Sequence, residues 1–271
     1  MNIDGYAFVI GGGGGIGRAT SIAFAKEGAR GLLVADIDLE AATKTAADSR
    51  SSATNPDFRA EAIKLDVTAP DSVQQAITYM VETFGRIDYC VNGAGMTGKG
   101  LAHIADTSFD VFQTVLDVNV NGLFHVLSAV SAVMKTQEPR AVDDTTPIRG
   151  VSRGTIVNLA SVSSLRGLPH AVSYTTSKHA VVGLTRVAAL DNVRYNIRVN
   201  CVCPSWVDTP MLSRITEATP GFDKVVLSQL PMGRLAAPEE IADAILFLSS
   251  PRSSWVNGSS MVVDGAMTIR P

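Results

Sequence analysis

Residues Val9–Thr20 read VIGGGGGIGRAT, five consecutive glycines close to the start of the chain. A flexible glycine tract belongs between domains. This one follows the apolar run Ala7–Ile10 and leads into IGRATSIAFAKEGA, whose apolar residues recur at helical spacing, so it reads as a strand-to-helix turn. In such a turn, backbone N–H groups and the helix N-terminus face an anion, and side chains would block a pyrophosphate. Two frames fit the same residues: G-x-G-x-x-G on Gly12, Gly14 and Gly17, and G-x-x-x-G-x-G on Gly11, Gly15 and Gly17.

Outward from this turn, short β-branched runs alternate with longer Ala-rich amphipathic stretches, the pattern of a parallel sheet with helices on both faces. Strands are expected at Ala7–Ile10, Gly31–Ala35, Glu61–Asp66, Ile87–Asn92, Gly154–Leu159, Ile197–Val202 and Ser260–Val263. Helices are expected at Gly15–Glu27, Leu39–Ser49, Pro70–Phe84, Ser108–Met134, Ser173–Asp191 and Pro238–Leu248. The fold class is α/β: a single Rossmann-like doubly wound domain over residues 1–271, with a parallel sheet of about seven strands. Two stretches depart from the alternation. Lys135–Gly154 is polar, holds two prolines and reads as a solvated surface insertion. Residues 205–232 follow a strand end, carry helix-like apolar spacing broken by Pro220 and Pro231, and suit a substrate lid.

The chain has 271 residues, 46% hydrophobic and 18% charged, with a formal net charge of -3, composition for one sizeable core and not for disorder. Its basic residues are scattered, which argues against a nucleic-acid partner and for a small-molecule substrate. The N-terminus lacks a basic region followed by a long apolar one, and no uninterrupted apolar run approaches the ~18 residues of a membrane span. The expectation is therefore a cytoplasmic protein with no membrane partner. Cys90, Cys201 and Cys203 are too few for a disulfide framework, and CVCP on a strand reads as buried thiols in preference to a metal pair. The histidines His103, His125, His170 and His179 show no ligand spacing, so no metal is expected.

The second strand ends in acid. Asp36 lies 19 residues past Gly17, the offset at which a carboxylate accepts hydrogen bonds from adenosine ribose hydroxyls. A 2′-phosphate there would meet like charge, and neither Gly14 nor Ile37 supplies a cation, so NAD is expected over NADP. Asp38 is the better cap for the helix that follows. Further on, Tyr174 and Lys178 stand four apart, on one face of a helix. A tyrosine titrates near pH ~10, and an adjacent ammonium favours its phenolate, which is how it becomes an acid/base near neutrality. That pair alone is a weak signal.

With its neighbours it becomes specific. GGGGGIG at Gly11–Gly17, DV at Asp66–Val67, NGAG at Asn92–Gly95, NVNG at Asn119–Gly122, Ser161 thirteen residues before Tyr174, YTTSK, RVNCVCPSWVDTPM and the terminal VDGAMT occur in order. Over nearly its whole length the chain resembles the short-chain dehydrogenase/reductase (SDR) family. The resemblance implies Tyr174 as proton donor or acceptor at the substrate oxygen and Lys178 as the group that lowers its pKa and bonds the nicotinamide ribose. It implies Ser161 as a donor positioning the same oxygen, and Asn119 as the helix-kinking residue holding a relay water. For the cofactor it implies Gly11, Gly15, Ile16 and Gly17 at the pyrophosphate and Asp36 at the adenosine ribose. Asp66 and Val67 would sit beside the adenine, Asn92 and Ala94 along the ribose path, and Val207 and Thr209 at the nicotinamide side. The chain departs from the family's pattern at Ile10 and Gly14, at Gly93, and at Ser205.

That frame makes Gly12, Gly13 and Gly14 a spacer, so a small residue at Gly13 or Gly14 is expected to be tolerated far better than one at Gly15 or Gly17. Met96, Ser163, Leu168, Trp206, Met211, Leu212 and Ile215 are expected at the substrate end of the cleft, where they suit a bulky apolar secondary alcohol or ketone, polycyclic or terpenoid. Several of them read equally as core. The resemblance implies an NAD-dependent alcohol dehydrogenase or ketoreductase, a homotetramer or homodimer, similar to enzymes of fungal natural-product and secondary-metabolite biosynthesis. Two other classes stay open: a non-catalytic cofactor-binding regulator, and an isomerase or dehydratase on a tightly held cofactor.

Overall fold

The computed structural model describes residues 1, 3–98 and 100–269. In chain order the elements are β1 Tyr6–Ile10, α1 Gly15–Lys26, β2 Gly31–Asp36, α2 Leu39–Ser52, β3 Arg59–Lys64, α3 Pro70–Phe84 and β4 Tyr89–Asn92. There follow α4 Phe109–Leu116, α5 Leu123–Met134, β5 Arg140–Ala141, β6 Val151–Ser152, β7 Gly154–Leu159 and α6 Val172–Asn192. The chain ends through β8 Ile197–Pro204, α7 Pro210–Ala218, α8 Phe222–Ser228, α9 Pro238–Ser249 and β9 Ser260–Val263.

The seven long strands form one sheet in the order β3-β2-β1-β4-β7-β8-β9. Every pairing in it is parallel. Side chains alternate across the pleat, so each strand feeds two cores. Phe8, Ile10, Leu33, Cys90 and Ile156 pack with Met80 of α3 and Val126, Val130 and Met134 of α5. Ala7, Val9, Leu32, Val34 and Val91 pack on the other face with Phe24 of α1, Ala42 of α2 and Ile241 and Ile245 of α9. The strand order reverses direction between β1 and β4, and the crevice outside their C-terminal ends is where ligands bind in such sheets.

The expected strand at Glu61–Asp66 sits two residues earlier, at Arg59–Lys64. Asp66 turns back on itself, its carboxylate accepting from the Thr68 amide and hydroxyl at 2.9 and 2.7 Å, and this local turn ends the strand. The strand expected from Ile87 begins only at Tyr89. Ile87 is held by a side chain instead: its N–H donates to Gln137 Oε1 at 2.7 Å, and Gln137 Nε2 donates to its carbonyl at 2.9 Å.

Gln137 opens the polar insertion, which is more than the solvated loop its composition implies. The β5–β6 antiparallel pair closes it, and Arg140 bridges at 3.2 Å to Asp88, which is buried and also takes Arg86 at 2.6 Å. All these anchors lie at the N-terminal ends of β4 and β7, so the insertion sits at the far edge of the sheet from the crevice.

The predicted helix Ser108–Met134 is continuous but broken in register, α4 and α5 being joined by a π-helical turn at Asp117–Gly122. By length and composition alone Phe109–Met134 could cross a membrane. Here it has another role, with Val115, Val126, Leu127, Val130 and Met134 buried in the protein's interior.

Candidate active site

The glycine turn delivers a helix start with unanswered donors. Gly14 caps α1 without any side-chain hydrogen bond, and the first turn holds no acidic residue, so among the described residues no side chain answers the N-terminal N–H groups or the dipole. The turn is fitted tightly from below. A Cβ at Gly17 would stand 2.0 Å from the Gly11 carbonyl oxygen, and one at Gly15, whose φ is +49°, would stand 3.1 Å from Thr209. Gly14 meets no described atom within 4 Å. These features fit a dinucleotide pyrophosphate: room in front, unpaired donors behind.

Gly13 does not behave as spacer. Its N–H donates to Asp36 Oδ2 at 2.8 Å, and an added Cβ would lie 2.9 Å from Asp36 Cγ and from Ala41 Cβ. The expected tolerance at Gly13 is thus corrected, while that at Gly14 stands on open space. Gly12 is equally confined, 2.6 Å from Val34 Cγ1. The other Asp36 oxygen accepts from the Asp38 amide at 3.0 Å, so two backbone donors aim the carboxylate at the end of β2, and it joins no ion pair among the described residues. Asp38 caps α2 through Ala41.

Beside this half, Val67 packs under Gly122 and its carbonyl meets His125 Nδ1 at 3.1 Å. Asn92 turns its amide into the sheet, donating to Asn158 Oδ1 at 2.7 Å, so of this residue the backbone is what remains for a ligand. Ala94 lies against Gly11 across the crevice. Val207 pairs with Ala236, and Thr209 caps α7 through the Leu212 amide while its methyl faces Gly15.

The chemical end is built where β7 runs out. Ser161 follows the last strand residues in extended backbone and starts a short helical turn. Its Oγ accepts the Ser163 N–H at 3.1 Å, and its own amide donates to Ser164 Oγ at 3.2 Å. The Ser161 hydroxyl stands on the Tyr174 side of this turn, near enough to its hydroxyl to favour the phenolate. Tyr174 and Lys178 lie in the first two turns of α6. Lys178 is 5% exposed, its Nζ donating to the Leu159 carbonyl at 2.7 Å and standing 5.6 Å from the centre of the Tyr174 ring.

Burial brings the Lys178 amine down to about 8, which leaves it mostly charged at neutral pH. Burial holds the Tyr174 phenol above its ordinary value, and the Ser161 hydrogen bond opposes this without overcoming it. The lowering of the phenol expected from the Lys178 ammonium is not made by a direct hydrogen bond here. The charge is engaged with a backbone carbonyl, and the two polar atoms share no hydrogen bond in the structure.

Asn119 sits in the π-helical turn, 2% exposed. Its Oδ1 accepts the Met96 N–H and its Nδ2 donates to the Met96 carbonyl, both at 2.8 Å, so the amide acts as a length of strand for the loop after β4. The i→i+5 turn is what aims this side chain across at the loop. Gly95, which sequence reasoning left unassigned, fills the space between Asn119 and Lys178, with a Cβ there 3.3 Å from Asn119 Oδ1 and 3.6 Å from Lys178 Nζ.

Residues 206–236 form α7 and α8 on a narrow base, where the Ala236 N–H donates to the Trp206 carbonyl and the Asp208 N–H to the Ala236 carbonyl. This segment has its own core of Leu212, Val226 and Leu230, closed by Val162 and by Met267 from the C-terminus. Trp206 belongs to that core, its indole N–H donating to Gln229 at 3.2 Å and its ring edge-on to Phe222. Leu212 is buried there too, whereas Met211 is exposed, and Ile215 and Leu168 are half-buried. Ser163 is buried beside Ser161, and Met96 is half-buried beneath the Asn119 clamp. Among the described residues, no group of three or more His, Cys, Asp or Glu is placed to hold a metal ion. All three cysteines are free and buried.

Comparison with known proteins agrees over the whole chain. Residues 11–268 match the family model described as enoyl-(acyl carrier protein) reductase. The short-chain dehydrogenase fogB of Aspergillus ruber is 53% identical, over 99% of this chain and 98% of that protein. The short-chain dehydrogenase srdC of Neurospora crassa is 50% identical with the same coverage. Among solved structures, levodione reductase superposes with a TM-score of 0.87 at 31% identity, over 99% of both chains.

Proposed function

The chain belongs to the short-chain dehydrogenase/reductase family of oxidoreductases, and from that premise we propose that it interconverts a secondary alcohol and a ketone with NAD, on a small and largely apolar substrate. The observation that carries the reading is the convergence of Ser161, Tyr174 and Lys178 at one end of a crevice whose other end is the uncapped glycine turn with Asp36. When bound, the nicotinamide supplies hydride transfer at the carbon that bears the oxygen.

The remaining work falls to the protein. In the oxidising direction Tyr174 takes the hydroxyl proton of the alcohol, and in the reducing direction it returns that proton to the carbonyl oxygen. Ser161 donates to the same oxygen and fixes its place. Lys178, charged at neutral pH, supplies the field that a buried phenol needs in order to ionise, and its remaining N–H groups are suited to ribose hydroxyls. Asn119 holds the loop that forms the wall between them. Gly11, Gly15, Ile16 and Gly17 would cradle the pyrophosphate, Asp36 would accept from both adenosine ribose hydroxyls, and its unpaired charge supports NAD over NADP.

The apolar faces left exposed on α4, α5 and α6, at Phe109, Phe124 and Leu190, support pairing of copies through these helices into a homodimer or homotetramer. The buried free thiols suit a reducing compartment, the cytoplasm. A bulky polycyclic or terpenoid alcohol of secondary metabolism is the substrate class proposed, with Met96, Leu168, Met211 and Ile215, which stay outside the core around Leu212, as the apolar residues left to meet it.

The test is an NADH-fluorescence screen of secondary alcohols with NAD and NADP, run on the wild type and on Tyr174→Phe. Turnover with NAD, lost by about 10³ in Tyr174→Phe while NADH affinity holds, is the expected result. Tight NADH binding without turnover on any alcohol or ketone would make this a binding protein, and turnover surviving Tyr174→Phe would remove the mechanism.

A further inference from the structure

Ser177 lies on α6 between Tyr174 and Lys178 and has no solvent exposure. Its hydroxyl proton goes to the Tyr174 backbone carbonyl at 2.7 Å, and its oxygen accepts from Asn119 Nδ2 at 2.9 Å. A serine inside a helix commonly satisfies itself by bonding back to the preceding turn, and a small residue alone would serve for close packing. Here the back-bond does something more. Because the one proton is committed to the carbonyl, the oxygen meets Asn119 only as an acceptor, so the amide must present its NH₂ to α6 and its remaining groups to Met96.

We propose that Ser177 is a positioning residue: its hydroxyl fixes, through Asn119, how far the Gly95–Met96 backbone stands from the Tyr174 and Lys178 side of α6. Three separate parts of the chain meet at this dry node: the loop after β4, the π-helical turn, and the helix that carries the reacting groups. Gly95 transmits the setting directly, since it is packed between Asn119 and Lys178 Nζ. Without the hydroxyl, one Asn119 N–H is orphaned in the interior and the helix loses its tie to the loop. A buried orphan donor is costly enough for the clamp to loosen. The inference rests on Tyr174 and Lys178 being the reacting pair.

The experiment uses the full chain with Ser177→Ala and with Ser177→Cys, which keeps the volume but bonds poorly. Amide hydrogen exchange of the ligand-free protein and steady-state kinetics with NAD and the best alcohol are read together. Expected in both variants are Met96 amide exchange faster by about tenfold with β7 and β8 amides unchanged, and kcat lower by about tenfold with the alcohol KM within about twofold. An unchanged Met96 exchange rate, an unchanged kcat, or a Cys variant equal to wild type overturns the proposal. If the wild type turns over no alcohol or ketone, the proposed function fails, and the Met96 exchange rate still decides whether Ser177 sets the clamp.

Discussion

Two amide side chains do the same job at opposite edges of one sheet. Asn119 answers the N–H and carbonyl of Met96 beyond the C-terminal end of β4 and adds a third bond to Ser177. Gln137 answers the N–H and carbonyl of Ile87 before the N-terminal end of the same strand and adds a third bond to the Arg153 carbonyl at 2.7 Å. Each replaces a stretch of β-ladder where no strand is available, and each leaves several orphaned backbone groups if removed. The difference lies in what stands next to them. Asn119 is packed against Gly95, which separates it from the Lys178 ammonium, whereas Gln137 closes a surface hairpin beside the Arg86–Asp88–Arg140 cluster. On the proposed function, the same chemistry serves catalysis at one edge and stability at the other.

The sharpest way to break that contrast is to truncate both. Asn119→Ala should lower kcat by about 100-fold, because displacing the loop by even an ångström misaligns the reacting groups. Gln137→Ala should cost about 3 kcal/mol in urea unfolding and leave kcat within about twofold. Matching kinetic losses in the two variants would end the distinction between the edges.

A second test concerns Lys178, whose buried charge has no carboxylate partner among the described residues, unlike Asp88 with its two arginines. Lys178 in the folded protein gives up its proton near 8, below its ordinary 10.5, so from pH 8 upward the unfolded chain holds a proton that the folded chain has released. Its contribution to stability therefore rises with pH through that window. Lys178→Met should be more stable than wild type at pH 7, and the gap should shrink by about 2 kcal/mol by pH 10, measured as the difference between paired denaturation curves. A gap that stays constant with pH would mean that Lys178 is not the titrating group.

The smallest effect separates neighbours within the glycine turn. Gly13→Ala should weaken NADH binding by about tenfold through its clash with Asp36, and Gly14→Ala by no more than about twofold, both read by fluorescence titration. Equal losses would show that the open space in front of Gly14 is part of the ligand's footprint.

Much of this was legible in the chain itself. The alternation of β-branched runs and amphipathic stretches specifies a parallel sheet because a strand buried on both faces and a helix buried on one demand different periods, and all seven strands of the main sheet lie at or near their expected places. Asp36 and the Tyr174–Lys178 pair could be picked out because spacing from a turn and along a helix is a local quantity, whereas Ser161 was named through the family resemblance. Local periodicity failed at Ile87 and Asp66, where the decisive partners are Gln137, fifty residues away, and a self-bonded Asx turn.

Sequence by itself therefore determined the architecture and the family, both of which follow from residue order over short distances. Only the tertiary structure decided that Gly13 is confined while Gly14 is open, that Trp206 serves the core of the segment 206–236, that the insertion lies away from the crevice, and that Ser177 is joined to Asn119. Those are facts about what fills the space around an atom, and that is fixed by elements the chain brings together from far apart.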